Sequence, residues 1–129
     1  MNEYIGIPFK PNGRDRNGVD CWGLVCLIYK EKLGIRLMSY VDVYTDNSIS
    51  ALRRVARTMA QERLTWAKVE RPMPYDIVLL RSGEYLWHVG LIIDKKRMIH
   101  ALDGDAVCIE EYKSLYWKDR IVEYRHYTG

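Results

Sequence analysis

The four residues Asp20-Cys21-Trp22-Gly23 constrain this chain more than any others, because they place a thiol where an apolar helical run begins. Trp22, Val25, Cys26, Ile28 and Tyr29 line one stripe, Leu33 extends it, and Gly34 offers a stop, so the spacing predicts a helix from about residue 21 to about residue 33. Asp20 is the capping candidate, since a short acidic side chain accepts from the free N–H groups of a first helical turn. The same N–H groups and the positive dipole end favour a thiolate, the form of cysteine that attacks, and are expected to bring the Cys21 pKa toward neutrality. A neighbouring carboxylate acts in the opposite sense, so capping is the expected task of Asp20. An average free cysteine is a small buried hydrophobe, and Cys26, inside the helix, and Cys108, in the alternating stretch 106–109, have only that reading. Cys21 differs by position.

A thiol nucleophile needs a base, and two histidines stand in strand-like settings: His88 within 85–94, and His100 within 97–102. On adjacent strands they could meet on one face of a hairpin, as base and orienting group. Register decides this. Antiparallel partners whose residue numbers have an even sum put His88 and His100 on the same side of the sheet, and an odd sum puts them on opposite sides. A two-residue turn at Lys95-Lys96 gives the odd sum, so the site requires an odd-length loop or a bulge between Asp94 and Arg97. The odd-length loop is expected. His126, near the C-terminus, reads as an ordinary structural or exposed histidine.

From Arg71-Pro72-Met73-Pro74 onward the pattern turns to β, with strands expected over 76–80, 88–94, 97–102, 106–110 and 120–126, separated by Ser82-Gly83 and Asp103-Gly104. That is an antiparallel meander of about five strands. Before it, Ile49, Leu52, Val55, Ala56, Met59 and Ala60 recur at helical spacing behind Asn47 and Ser48, predicting a second, structural helix over 48–64. N-terminal helices packed on a sheet make an α+β fold, with Cys21 at a helix end facing the sheet edge that bears His88. With 129 residues, 48% hydrophobic and 29% charged, one domain over 1–129 is expected.

Several classes are disfavoured. Met1-Asn2-Glu3 begins no basic and apolar leader, and no apolar run approaches about 18 residues, so neither a signal peptide nor a membrane span is expected and synthesis inside the cell is. A net charge of +3 with dispersed basic residues is too mild for nucleic-acid binding. Lys10, Arg14 and Arg16 precede Cys21 and could meet an acidic partner, but read first as a solvated loop. Three cysteines, an odd count, fit a reducing compartment rather than a disulfide scaffold. A zinc site of Cys21, Cys26, His88 and His100 is a poor fit, since Cys26 lies about 140° around the helix from Cys21. No metal is expected. Trp66, Trp87, Trp117, Tyr75, Tyr85, Tyr112 and Tyr116 could shape a substrate groove, although most read as packing. Trp87 adjoins His88, but alternation points it to the other face.

Ile5-Gly6-Ile7-Pro8-Phe9, Gly18-Val19-Asp20-Cys21-Trp22-Gly23-Leu24-Val25, Pro74-Tyr75-Asp76-Ile77-Val78-Leu79, His88-Val89-Gly90-Leu91-Ile92-Ile93 and Ile99-His100-Ala101 together resemble the NlpC/P60 cysteine peptidases. The resemblance runs from about residue 3 to about residue 125. It implies a papain-like core in which Cys21 attacks an amide carbonyl, His88 takes the thiol proton and His100 orients His88. It implies peptidoglycan stem peptides as substrates, commonly cut between D-γ-glutamyl and diaminopimelate or lysine, through a thioester that water hydrolyses, with no cofactor. Asp20, Trp22 and Trp87 are the substrate-binding candidates.

Two positions depart from the family pattern. Phe9 falls where many members carry a tyrosine that helps to hold the oxyanion; without that donor the loss can reach about 3 kcal/mol, although the Cys21 backbone N–H remains. Trp22 stands where serine is commonest and resembles bacteriophage and prophage variants linked to tail assembly or tail tips. The expected protein is therefore a phage tail-associated wall peptidase, carried in the virion or released by lysis. The alternatives are a structural tail-tip or tail-assembly component with little hydrolysis, and a thiol amidase or acyltransferase on a non-wall amide.

Overall fold

The computed structural model describes residues 1–38, 66–81, 87–102 and 104–129, and only the backbone of Trp87. The expected helix over 48–64, the Ser82-Gly83 turn, Tyr85 and Asp103 lie outside the described residues. No helix among the described residues is long and apolar enough to cross a membrane.

Helix α1 (Cys21–Ile28) begins where Asp20 leaves the extended region at φ −92°, ψ −174°, its side chain accepting from the Gly23 N–H at 2.7 Å. The next turn, Tyr29–Leu33, is wider and π-helical, and the chain stops at Gly34 in the left-handed region at φ 66°. The periodic stretch is therefore helical throughout, in two hydrogen-bonding patterns. Before α1 the chain makes a short hairpin of β1 (Arg14–Asp15) and β2 (Gly18–Val19). Gly23 allows that hairpin to lie on the helix start, since a Cβ there would stand 2.0 Å from the Gly13 carbonyl oxygen.

Among the described residues the remaining strands are β3 (Trp66–Val69), β4 (Ile77–Arg81), β5 (Trp87–Ile92), β6 (Arg97–Ala101), β7 (Val107–Glu111) and β8 (Ile121–Tyr127). They form one antiparallel sheet of order β3-β8-β4-β5-β6-β7. This corrects the five-strand meander in two respects. Only β4 to β7 follow one another as a meander, whereas β8 returns to the free edge of β4. A sixth strand, β3, forms on β8, with Trp66 opposite Tyr127 and Val69 opposite Tyr124. Four residues without alternation carry no strand signal of their own; β3 exists because β8 offers it an edge.

Both faces of the sheet are covered. Ile77, Leu79, Val89, Leu91, Ile99 and Ala101 pack with α1 residues Trp22, Leu24, Val25 and Ile28. The alternate residues Val78, Leu80, Ile92 and Met98 pack with Tyr112 and Trp117 on the other face. In the β5–β6 hairpin Leu91 lies opposite Ile99 and Ile92 opposite Met98, an even sum in each case. The Ile93 N–H bonds the Arg97 carbonyl at 2.9 Å, leaving a three-residue turn over 94–96. Asp94 pins the turn by accepting from the Lys96 and Arg97 N–H groups at 2.9 and 2.8 Å. The odd-length loop is thus present.

Asp20 is 1% exposed, and both of its oxygens are engaged: Oδ1 accepts from Gly23 N and from Arg14 Nη1 at 2.7 Å each, and Oδ2 accepts from Asn12 N at 3.0 Å. Removing one partner of such a pair strands the other charge, at a typical cost of about 3–5 kcal/mol. Asp20→Ala is expected to destabilise the fold by that order in urea titration, and a change of under about 1 kcal/mol would show that water can replace the carboxylate.

Candidate active site

Cys21 opens α1, and α1 packs across β5 and β6. The residue keeps some exposed surface, but its sulfur is enclosed, with the backbone N–H groups of Val89 and Trp22 directed at it. Those donors and Arg14 favour a thiolate. Burial, and then the Asp20 carboxylate, outweigh them and push the thiol up to about 12. This corrects the expectation of a pKa near neutrality, because a helix start activates a thiol only where the charged form is not heavily desolvated. Among the described residues no hydrogen bond joins Cys21 to His88; the thiol lies instead against Val89, the next residue along β5.

His88 and His100 share one face, as the register requires. His88 Nε2 and His100 Nδ1 are 2.7 Å apart, and the rings are 6% and 0% exposed. His100 Nε2 is in turn 2.6 Å from Glu110 Oε2. A carboxylate only accepts, so His100 carries its proton on Nε2 and offers Nδ1 as acceptor; His88 then carries its proton on Nε2, and its Nδ1 is left free to take one. Three hydrogen-bonded groups thus fix the direction of the chain. Burial, and next His100, push the His88 pKa down to about 3. Burial also lowers His100, against the opposing pull of Glu110. The thiol and the imidazole are both neutral at pH 7.

Trp117 supports this chain from beside it. Its ring stacks on His88 at 5.7 Å and 21°, meets His100 edge-on at 5.4 Å, and donates from Nε1 to Glu110 Oε2 at 3.2 Å. Sequence reasoning placed Trp117 only among groove or packing aromatics and did not single out Glu110. The available signal was register: Cys108 pairs with His100, so Glu110, two residues on, shares its face. That pairing could not be counted across Asp103-Gly104 from sequence.

The other candidates divide between frame and surface. Asp20 and Trp22 lie in the interior; Trp22 is 3% exposed, donates from Nε1 to the Met38 carbonyl at 2.7 Å and meets Trp66 edge-on. Both support the ground beneath Cys21, and any effect on substrate would pass through its position. Trp87 begins β5, and its side chain lies outside the described residues. Phe9 is half-buried against the α1 cluster. Arg16 pairs with Glu31 at 2.6 Å and lies over the Tyr4 ring, while Arg14 is held by Asp20. Of the three cations that precede Cys21 in the loop, Arg14 and Arg16 are thus engaged in ion pairs. His126 bonds the buried Asp76 at 2.6 Å, away from the relay.

The profile of the NlpC/P60 family matches residues 6–126. The chain is 26% identical over 128 residues to the murein DD-endopeptidase MepS/murein LD-carboxypeptidase of Escherichia coli K12, covering 97% of this chain and 60% of that protein. It is 27% identical over 135 residues to the gamma-DL-glutamyl hydrolase of Bacillus subtilis 168, covering 98% of this chain and 28% of that one. The crystal structure of the NlpC/p60 domain of the peptidoglycan hydrolase SagA has the same fold, with a TM-score of 0.63 at 19% identity over 96% of this chain and 90% of that one. A family profile spanning nearly the whole chain, and an α+β architecture shared with a solved member, place this chain in the NlpC/P60 family.

Proposed function

We propose that this chain is a cysteine peptidase cleaving amide bonds in peptidoglycan stem peptides. The observation that carries the reading is the directed chain Glu110–His100–His88, which ends at an imidazole nitrogen free to accept a proton, on the strand whose next residue touches Cys21. The names of the Escherichia coli and Bacillus subtilis relatives support a wall peptide and a γ-glutamyl linkage.

The neutral pair sets the order of events. A thiol held up to about 12 beside an imidazole held down to about 3 stays protonated until a carbonyl carbon is in reach. As Cys21 Sγ attacks, its proton passes to His88 Nδ1, and the new imidazolium donates through Nε2 to His100. Glu110 then faces a positive charge, which it stabilises through His100. The oxyanion meets the Cys21 backbone N–H, His88 returns the proton to the departing amine, and water resolves the thioester. Phe9 adds no donor, so turnover is expected to be slow.

The likeness of Trp22 to bacteriophage and prophage variants supports a finer reading, a peptidase carried in a phage tail or released by lysis. A second reading, a structural tail component with little hydrolysis, is favoured by Phe9 and by the energetic distance between neutral thiol and thiolate.

Digestion of purified muropeptides, with mass spectrometry of the products, tests the enzyme. Wild type should cut one stem-peptide bond and Cys21→Ala none; a folded wild type inert on every wall chemotype would move the assignment to the structural reading. Glu110→Gln keeps an acceptor but loses the charge, so kcat should fall about tenfold, some 1.4 kcal/mol, with KM unchanged. Without the carboxylate the acid limb of the kcat profile should move to lower pH, a shift that a purely structural Glu110 would not produce. Stability carries its own pH signature. A histidine held down to about 3 when folded binds protons first in the unfolded chain, so the contribution of His88 to folding is full above about pH 6.5 and is lost as pH drops toward 3. The urea midpoint of wild type should fall across that window, and less steeply in His88→Gln.

A further inference from the structure

Cys108 has no part in the proposed hydrolysis, yet it stands at the far end of the relay. It lies opposite His100 across the β6–β7 ladder, with Glu110 two residues further on the same face. Its Sγ is 3.5 Å from His100 Nε2 and 4.0 Å from Glu110 Oε2. One imidazole nitrogen, one sulfur and one carboxylate oxygen therefore lie within 4.8 Å of one another. Bond lengths of roughly 2.0–2.1 Å to nitrogen, 2.3 Å to sulfur and 2.0–2.2 Å to oxygen put tetrahedral ligand pairs about 3.4–3.6 Å apart. The nitrogen–sulfur separation already fits. The carboxylate must swing away from Nε2 by less than about 1 Å, and its side chain, 42% exposed, has solvent to move into.

The donor set selects the ion. Nitrogen, thiolate and carboxylate on two rigid strands, with a fourth position open to water, suit zinc and not the oxygen-seeking magnesium or calcium. His100 is 0% exposed, and its second nitrogen is already bonded to His88, as the outer nitrogen of a metal-bound histidine usually is. This trio is distinct from the Cys21, Cys26, His88 and His100 set weighed from the sequence.

We propose that His100, Cys108 and Glu110 form a zinc site, and that zinc bound there turns the relay off. The second half rests on the reading of His88 as the base. A neutral His100 coordinated through Nε2 keeps its one proton on Nδ1, which must then donate to His88 Nε2 and so reverses the 2.7 Å bond. The His88 proton is moved to Nδ1, the position that has to accept from Cys21. The proton leaving His100 Nε2 is matched by one gained at His88 Nδ1, and the Cys108 thiol proton goes to solvent. Zinc therefore leaves the nucleophile untouched and blocks its acceptor.

Calorimetric titration of the full chain with zinc ion, in a reducing buffer free of thiols, tests the site without any substrate. Wild type and Cys21→Ala should each bind one equivalent, and cobalt ion should give a thiolate charge-transfer absorption in both. Cys108→Ser, close in size, should lose that absorption and bind zinc at least about tenfold more weakly. No binding by wild type would overturn the site; binding that survives Cys108→Ser but vanishes in Cys21→Ala would place the ion on the thiol instead. Long-range proton–nitrogen spectra of the histidines read the switch whether or not the chain cleaves wall peptides. His88 should change from the Nε2–H to the Nδ1–H tautomer as zinc is added, and an unchanged His88 in a zinc-loaded chain would overturn the switch while leaving the hydrolase reading intact.

Discussion

The buried carboxylate of Asp20 ties together the parts on which the site depends. It closes the first turn of α1, holds Arg14 of the preceding hairpin and receives the Asn12 N–H, so one side chain joins loop, hairpin and helix start. Asn12 reaches it from the left-handed region at φ 63°, a conformation that asparagine tolerates better than most residues. Gly23 completes the fit, because the Gly13 carbonyl occupies the space a side chain would need. Cys21 stands where it does because its neighbours on both sides are fixed by contacts that have nothing to do with sulfur chemistry. The cost falls on the thiol, since the same carboxylate opposes a negative sulfur next to it.

Burial accounts for most of the remaining electrostatics. Trp117 closes one side of His88, α1 and the sheet enclose the thiol, and each group is held in its neutral form. Both groups are therefore uncharged at rest, with the Glu110 carboxylate bonded to His100 behind His88. Glu110 is the one member of the chain with substantial exposure, and so the one at which solvent or an ion can act on the buried histidines.

Much of this was legible in local pattern. Helical spacing from Trp22 to Leu33, with Gly34 after it, marked the helix and its end, and the chemistry of aspartate marked the cap. The relation between His88 and His100 followed from parity once an odd-length turn was required, and Asp94, which pins residues 94–96, accounts for that turn. The sheet was read less well. Strands β4 to β7 could be followed one to the next, but β8 beside β4, and β3 on β8, depend on which edge the last strand joins. Glu110 was missed for the same reason, since a contact across a ladder follows from register and register across an irregular turn cannot be counted.

By itself, then, the sequence determined the residue types, their spacing along each element and the face of the hairpin that carries both histidines, because periodicity and side-chain alternation are local properties. The tertiary structure decided the protonation of the site and its membership. Whether a helix-start thiol is charged depends on how much water the packed sheet leaves around it, and whether Glu110 and Cys108 stand beside His100 depends on strands that meet only when the sheet is assembled. Desolvation and strand pairing are properties of the closed fold.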